Sequence, residues 1–440
     1  MDCTNLFKDK RITVMGVGLL GRGVGDARFL ATCGAEVLVT DKKTETELRE
    51  AVTALKEYPN ITFHLGGHDL KDFTSCDMVI KAASVPLNSP EIAAARAAGV
   101  EVVMSTALFA KYASEAGAKI VGVTGTRGKT TVAHMISHVL KKAKKPAFLG
   151  GNIRGLSTLA MLPNVHSGDV AILELDSWQL QGFGDLKMSP HIAVFTNLMP
   201  DHQNYYKDME EYFSDKANIF RYQQPTDVLI AGASVAERIR ATQPPLDPIV
   251  PELISSKWKL QVIGEHNREN ASFAAAALAA LGLEEQEIRA GLESFEPVEG
   301  RLQFVREING IRIYNDNNAT TPEATIAALR AVGKNTTLIV GGSEKGLALE
   351  GLVEEIKEKA SHVILLVQGN YKGSERLADI LKKENVAFEE AGNLETAIES
   401  ALSHTQKGAI LFSPAFASFG MFKNEYERND QFLRLVHGFQ

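Results

Sequence analysis

Residues Lys119–Thr131 read KIVGVTGTRGKTT. A short β-branched strand, Lys119–Val123, runs into a Gly/Thr loop, and helix-forming sequence follows from about Lys129 to Lys142. In a strand–loop–helix of this kind, backbone N–H groups at the helix N-terminus cradle phosphates. A lysine then reaches the β- and γ-phosphates, and the next hydroxyl ligates Mg²⁺. Lys129 and Thr130 fit these two roles, with Gly125, Thr126, Gly128 and Thr131 completing the loop. A strict Walker A pattern needs glycine at position 123, where this chain has Val123. The consensus is missed by one residue, while its GKT end and its context hold. The bland alternative is a glycine turn with no ligand.

Outward from this stretch the chain alternates strand and helix signals. Arg11–Met15, Glu36–Thr40, Met78–Ile80 and Val100–Met104 are apolar runs before it, with helical sequence over Gly23–Cys33. Val170–Leu175 and Ile192–Asn197 follow it. Thr337–Val340, Val363–Val367 and Ala409–Phe412 form a third series. Such alternation predicts an α/β chain of βαβ units around parallel sheets. Four prolines within Pro244–Pro251 mark an exposed turn region, and Ala271–Leu281 reads as a buried helix. At about 150 residues per domain, 440 residues give roughly three domains. The boundaries fall near 108 and 297, giving domains 1–108, 109–297 and 298–440.

Composition narrows the function. The chain is 45% hydrophobic and 23% charged with net charge −7, which speaks for a soluble globular protein and against a nucleic-acid binder. No apolar run approaches the roughly 18 residues of a membrane span, and the N-terminus lacks the apolar region of a signal peptide. Cys3, Cys33 and Cys76 have no metal-ligand spacing and suggest a reducing, cytoplasmic setting.

Five further motifs follow strands. Gly16-Val17-Gly18-Leu19-Leu20-Gly21 is a GxGxxG between strand and helix, with Asp41 at the end of the next strand. The glycines admit a diphosphate to a helix N-terminus, and the acid accepts from a ribose hydroxyl. Glu174-Leu175-Asp176-Ser177-Trp178-Gln179-Leu180 places a carboxylate at a strand end, as a magnesium ligand or a salt-bridged residue. Thr196–His202 ends in Asp201-His202, where the histidine reads as metal ligand, acid/base or structural. Asn315–Thr321 and Ser413–Phe419 are polar clusters, the former equally readable as an Asx-rich turn. Two nucleotide sites in one chain oppose a simple nicotinamide-dependent oxidoreductase or nucleotide sensor, which leaves the GTRGKTT loop without a purpose.

The six motifs, in this order and spacing, resemble those of the Mur ligases of peptidoglycan synthesis. The specific pieces are GTRGKT, ELDSWQL, DHQNYY, GEHNREN and SPAFAS with FKNEYERNDQF. The resemblance implies a Rossmann-like UDP-binding domain, a central P-loop-type ATPase and a Rossmann-like C-terminal domain. It implies that ATP phosphorylates the carboxylate of UDP-N-acetylmuramoyl-L-alanine and that the amine of glutamate attacks the acyl phosphate. A Mur-type ligase with another acceptor amino acid is the alternative. Neither nucleic acid nor membrane is a partner in this reading, and a monomer is expected.

The resemblance also implies residue roles. Two magnesium ions would be held by Thr130 and Glu174, and by His202 with a carbamylated Lys216. Alone, Lys216 reads as a solvated helix lysine. His266, Asn267, Asn270, Arg301 and Asp316 match positions for adenine, ribose and phosphate. Gly18, Leu19, Leu20, Asp41, Lys42, Ser84, Asn152 and Gln179 match the UDP-substrate side, and Thr320, Lys345 and Ser418 the glutamate pocket. Three residues depart from the pattern: Asp176 replaces a serine, Asn318 a lysine and Glu425 a phenylalanine. Each moves charge in the unfavourable direction for an anionic substrate.

Overall fold

A computed structural model describes residues 2–17, 21–201, 205–367 and 371–439. It holds three sheets in two compact units. The first unit is Met1–Leu253 with Asn270–Leu292; the second is Ile254–Glu269 with Glu293–Gln440.

In the first unit, β1 (Arg11–Met15), β2 (Glu36–Asp41), β3 (Ile61–Leu65), β4 (Met78–Lys81) and β5 (Glu101–Val103) form a parallel sheet in the order β3-β2-β1-β4-β5. Chain direction across the sheet reverses between β1 and β4, the switch point where α/β sheets bind ligands. The Gly16 loop leaves β1 at that point, and β4 ends there in Lys81. The second sheet contains β6 (Lys119–Thr124), β7 (Ala147–Gly151), β8 (Val170–Glu174), β9 (Ile192–Phe195) and β10 (Val228–Ala231), ordered β10-β9-β6-β8-β7 and again parallel. β6 is central, with every residue from Ile120 to Thr124 buried, as continuous apolar runs require when both faces are covered.

The second unit carries β11 (Gln303–Ile308), β12 (Ile311–Asn315), β13 (Thr336–Val340), β14 (Ala360–Leu366), β15 (Glu389–Ala391) and β16 (Gly408–Phe412). Their order is β11-β12-β16-β13-β14-β15. All neighbours are parallel except β11 and β12, an antiparallel hairpin with Ile308 opposite Ile311. Its two-residue turn is Asn309-Gly310, both with positive φ (51° and 79°), which fits a type I′ turn. The sequence reading did not anticipate this edge strand. Among the described residues, no helix is long and apolar enough to cross a membrane.

Candidate active site

The loop after β6 is built by its neighbours. Thr126 N–H donates to Asn197 O (2.9 Å) and Arg127 N–H to Asn197 Oδ1 (2.9 Å). Thr126 Oγ1 accepts from Met199 N–H (2.9 Å), and Thr124 Oγ1 donates to Leu175 O (2.8 Å). The segments following β8 and β9 therefore brace the loop following β6, and three motifs distant in sequence become one scaffold. Two glycines are sterically obligatory here. A Cβ on Gly125 (φ +141°) would lie 2.0 Å from Thr196 Oγ1, and one on Gly128 (φ +85°) 2.4 Å from Asn270 Oδ1. A backbone pinned this closely at the N-terminus of helix Lys129–Lys142 fits a phosphate cradle.

Lys129 Nζ donates to Gly125 O (3.0 Å) and Thr126 O (3.1 Å), arching over the same loop. Thr130 and Thr131 continue the first turn of the helix. Glu174, buried, ends β8 beside β6. The hydroxyl of Thr130 and the carboxylate of Glu174 are hard oxygen donors of the kind magnesium takes. His202 lies outside the described residues, as do Gly18, Leu19 and Leu20.

Lys216 is not a solvated helix lysine. It is 1% exposed, and its Nζ donates to Gly125 O (2.9 Å) and Thr124 Oγ1 (3.3 Å), with the Tyr212 ring 4.8 Å away. Burial, reinforced by the charge of Lys129, holds its pKa well below the ordinary lysine range. The neutral amine, the form that reacts with CO₂ to give a carbamate, is thereby favoured. Next to it, Asp215 accepts from Gln181 Nε2 (2.7 Å) and Tyr206 OH (2.9 Å).

A cavity of about 480 Å³ joins this loop to the first sheet. Gly16, Val17 and Ser84 line one end, and Lys129, Asn152, Asp176 and Gln179 the other. Asp41 holds the first loop itself: Oδ2 accepts from Val17 N–H (3.2 Å) and Oδ1 from Lys43 N–H (3.0 Å). Lys42 adjoins it, exposed. Asn152 N–H donates to Glu174 O (2.8 Å), and Gln179 Nε2 to Thr106 Oγ1 (3.2 Å).

The same cavity contains two residues that sequence reasoning missed. Lys81, buried, donates to Val85 O (2.9 Å), and burial lowers its pKa to about 8. Asp26 accepts from Ser157 Oγ (2.6 Å), and burial raises its pKa to about 6. Lys81 had a signal, a cation closing an apolar strand at a switch point; Asp26 had none.

Asp176 proves to be a helix cap. Its carboxylate accepts from Gln179 N–H (2.7 Å), while Gln179 Oε1 accepts from Asp176 N–H (3.2 Å), a reciprocal capping box on helix Ser177–Asp185. Serine and aspartate are equivalent caps, so the departure keeps the local fold.

In the second unit, Thr320 and Lys345 meet, Nζ to Oγ1 at 3.3 Å. Asp316 accepts from the N–H of Leu302 (3.0 Å), the residue after Arg301, and from Ser413 Oγ (2.9 Å), the residue after β16. Ser418, buried, accepts at its carbonyl from Tyr371 OH (3.4 Å). His266 lines a separate cavity with Glu323 and Arg330, and burial lowers its pKa. Asn267 and Asn270 lie one turn apart on helix Glu265–Ala280. Glu425 occupies the first turn of helix Glu425–Gly438, where a carboxylate faces the favourable end of the helix dipole. Asn318 packs its amide near Gly300 and accepts from Asn317 Nδ2 (3.1 Å). Arg428 was also missed: fully buried, it donates through Nε to Asn317 Oδ1 and through an η nitrogen to Asn317 O, both at 2.8 Å. It places a cation behind the Asn315–Thr321 turn.

Comparison with known proteins bears on the whole chain. Residues 10–104 match the family described as "Mur ligase MurD-like, N-terminal domain", residues 123–245 the "Mur ligase middle domain" and residues 300–416 the "Mur ligase, glutamate ligase domain". The chain is 36% identical to a UDP-N-acetylmuramoylalanine–D-glutamate ligase of Roseiflexus sp. (strain RS-1), covering 98% of this chain and 99% of that one. It is 32% identical to the enzyme of that name in Clostridium kluyveri, over 99% and 98%. Among solved structures it is similar in fold to the UDP-N-acetylmuramate-alanine ligase MurC of Thermotoga maritima (TM-score 0.62, 20% identity, 97% and 99% covered). It is also similar in fold to the MurF ligase of the same organism in complex with ADP (TM-score 0.59, 15% identity, 98% and 95% covered). With three family domains in order and full-length relatives above 30% identity, the chain belongs to the Mur ligase family.

Proposed function

We propose that this chain is the ATP-dependent ligase that joins D-glutamate to UDP-N-acetylmuramoyl-L-alanine in peptidoglycan precursor synthesis. The relatives named for that reaction match over nearly their full length. The observation that carries the reading is the cavity running from Gly16 and Ser84 to Lys129 and Asn152. A nucleotide-sugar seated on the first sheet would extend its free carboxylate toward the loop that holds the triphosphate.

The chemistry follows from the charges. A carboxylate oxygen attacks the γ-phosphorus, ADP leaves, and the acyl phosphate forms; the neutral amine of glutamate then attacks the acyl carbon, the nitrogen gives up one proton to solvent, and phosphate leaves with the electron pair of the broken C–O bond. Two anions must meet in the first step, so cations must offset their repulsion. Lys129 supplies one positive charge from the loop. Magnesium, held by Thr130 and Glu174 and, at a second site, by His202 and carbamylated Lys216, would neutralise phosphate charge. The burial of Lys216 between Gly125 O and Thr124 Oγ1 supports the carbamate. Asn267, Asn270, His266, Arg301 and Asp316 serve the nucleotide, and Thr320, Lys345 and Ser418 the glutamate carboxylates. Arg428 contributes a positive field behind that pocket, on the side where the family pattern has a lysine and this chain Asn318.

Three domains bounded near 108 and 297 accommodate these roles. A single chain carries all three motif-bearing sheets, which supports action as a monomer. A nucleotide-linked substrate and three free thiols support a cytoplasmic setting.

The test is phosphate release from ATP with UDP-N-acetylmuramoyl-L-alanine and D-Glu, L-Glu, D-Asp or Gly. Release requiring both the UDP substrate and D-Glu is expected. Equal or faster release with another acceptor would overturn the acceptor assignment, and release without the UDP substrate would overturn the ligase reading.

A further inference from the structure

His362, Glu389 and His404 converge in the second unit on a cluster that the ligase reading does not use. Their ligand atoms all lie within 4.8 Å of one another. His362 Nε2 is 3.4 Å and His404 Nδ1 3.6 Å from Glu389 Oε2. We propose that these three side chains form a binding site for a divalent d-block cation of the zinc class, separate from the magnesium sites of catalysis.

The fold brings them together for local reasons. β14 and β15 pair in parallel with Ile364 opposite Glu389. His362 lies two residues before Ile364, so His362 and Glu389 project from the same face. Helix Leu394–His404 packs across that face through Leu394, Ala397, Ile398 and Ala401, in one cluster with Ile364. Its last residue therefore delivers His404 to the strand starts. The imidazoles stack face to face, with centroids 4.4 Å apart and planes 18° from parallel, and because an imidazole binds metal in its own ring plane, a shared cation requires the half-exposed His404 ring to turn off the stack.

The spacing suits a metal. Zinc bound at about 2.0–2.1 Å by four ligands has ligand–ligand edges of about 3.3 Å, close to the two distances to Glu389. The outer partner is also present: Ser400 Oγ donates to Glu389 Oε2 at 2.6 Å and fixes the carboxylate. Two imidazoles and one carboxylate select zinc, nickel or copper over magnesium, which prefers oxygen ligands. His404 Nδ1 also lies 3.0 Å from Ser400 O, so a cation on Nδ1 displaces that hydrogen bond and moves the ring proton to Nε2. The competition weakens the site relative to a closed structural zinc. Three protein ligands leave a fourth position for water.

Position separates the cluster from catalysis. It lies at the amino ends of β14 and β15, whereas Asp316, Lys345 and Ser413 follow the carboxyl ends of β12, β13 and β16. A cation there ties β14, β15 and helix Leu394–His404 together.

The experiment uses the full-length, untagged, chelator-treated protein, titrated with Zn²⁺ in excess Mg²⁺ by calorimetry. Co²⁺ serves as a second probe, read by its visible absorption. Wild type is expected to take up one equivalent more than His362→Ala/His404→Ala, with a tetrahedral-type cobalt spectrum that the variant lacks. Ser400→Ala should weaken binding about 10- to 100-fold. Zinc should raise the wild-type melting temperature and not that of His362→Ala/His404→Ala. His404→Ala alone, at a half-exposed helix end, repeats the comparison should the double variant fail to fold. Equal zinc uptake by wild type and these variants, or its displacement by excess Mg²⁺, would overturn the site.

Discussion

The Nζ of Lys216 lies 2.9 Å from the carbonyl oxygen of Gly125, inside the loop assigned to the phosphates. A lysine on helix Met209–Ala217 thus reaches a turn 91 residues earlier in the chain. Both its hydrogen-bond acceptors are neutral oxygens, so burial of its charge is met by no bonded carboxylate. The proposed carbamate would turn this neutral amine, by reaction with CO₂ and loss of a proton, into an anionic oxygen ligand. Lys216→Ala should lose about 10²-fold or more in turnover, the scale of losing one preorganised electrostatic contact. Added formate, acetate or bicarbonate should partly restore it by filling the vacated space. Lys216→Arg should not be rescued, because its permanent cation occupies that space. Steady-state phosphate release decides; full activity of a folded Lys216→Ala protein rejects the carbamate.

Asp41 links two tasks, because its carboxylate already holds the N–H groups of Val17 and Lys43. Asp41→Ala therefore removes a ligand contact and loosens the loop after β1 together. A charge-assisted hydrogen bond is worth about 1.5–3 kcal/mol, so affinity for the UDP substrate should fall roughly 10- to 150-fold. Affinity for ATP should be unchanged, since its loop follows β6. Calorimetric titration with each nucleotide separates the two, and a parallel loss of ATP affinity would refute the division of sites.

The strand–loop–helix segments were readable because their signals are local: an apolar run, a glycine turn and a helix start within about a dozen residues. Ligand motifs also collect at carboxyl strand ends in α/β sheets, so each motif's neighbourhood followed from topology. What sequence could not convey was pairing across distance. Asp26 meets Ser157 across 131 positions, and Arg428 meets Asn317 across 111. Lys216 read as a surface residue because nothing beside it announces burial. Two signals were present and passed over. Asn309-Gly310 marks the β11–β12 hairpin, and Asp176 with Gln179 three residues on marks a capped helix.

Asp176 therefore yields a prediction about stability and not only about charge. Its side chain satisfies the Gln179 N–H, and Gln179 returns the bond. Asp176→Ala should cost about 0.5–2 kcal/mol, the usual loss of an N-cap, whereas Asp176→Ser should stay near wild type. Urea unfolding of the two variants beside wild type measures this. Equal destabilisation by serine and alanine would show that the charge, not the cap, matters.

Asp26 sets a pH dependence. Burial raises its folded pKa to about 6, and hydrogen bonds from Ser157 and Ser105 and the charge of Arg22 offset only part of that. An unfolded aspartate titrates near 3.9, so between that value and about 6 the folded state binds more protons than the unfolded state. The stability linked to Asp26 is then fully present below the unfolded pKa and is lost as pH rises through the folded one. A shift of this size is on the order of 3 kcal/mol. Asp26→Asn keeps the size and an acceptor for Ser157 but cannot ionise, so it escapes that loss. The variant should gain stability relative to wild type from about pH 4 to about pH 6.5 and keep a constant lead above it. Denaturant midpoints of both proteins across this range give the difference directly. Parallel curves through the window would mean that Asp26 is ionised in the folded protein as readily as in the unfolded chain, and the buried-acid assignment would fail.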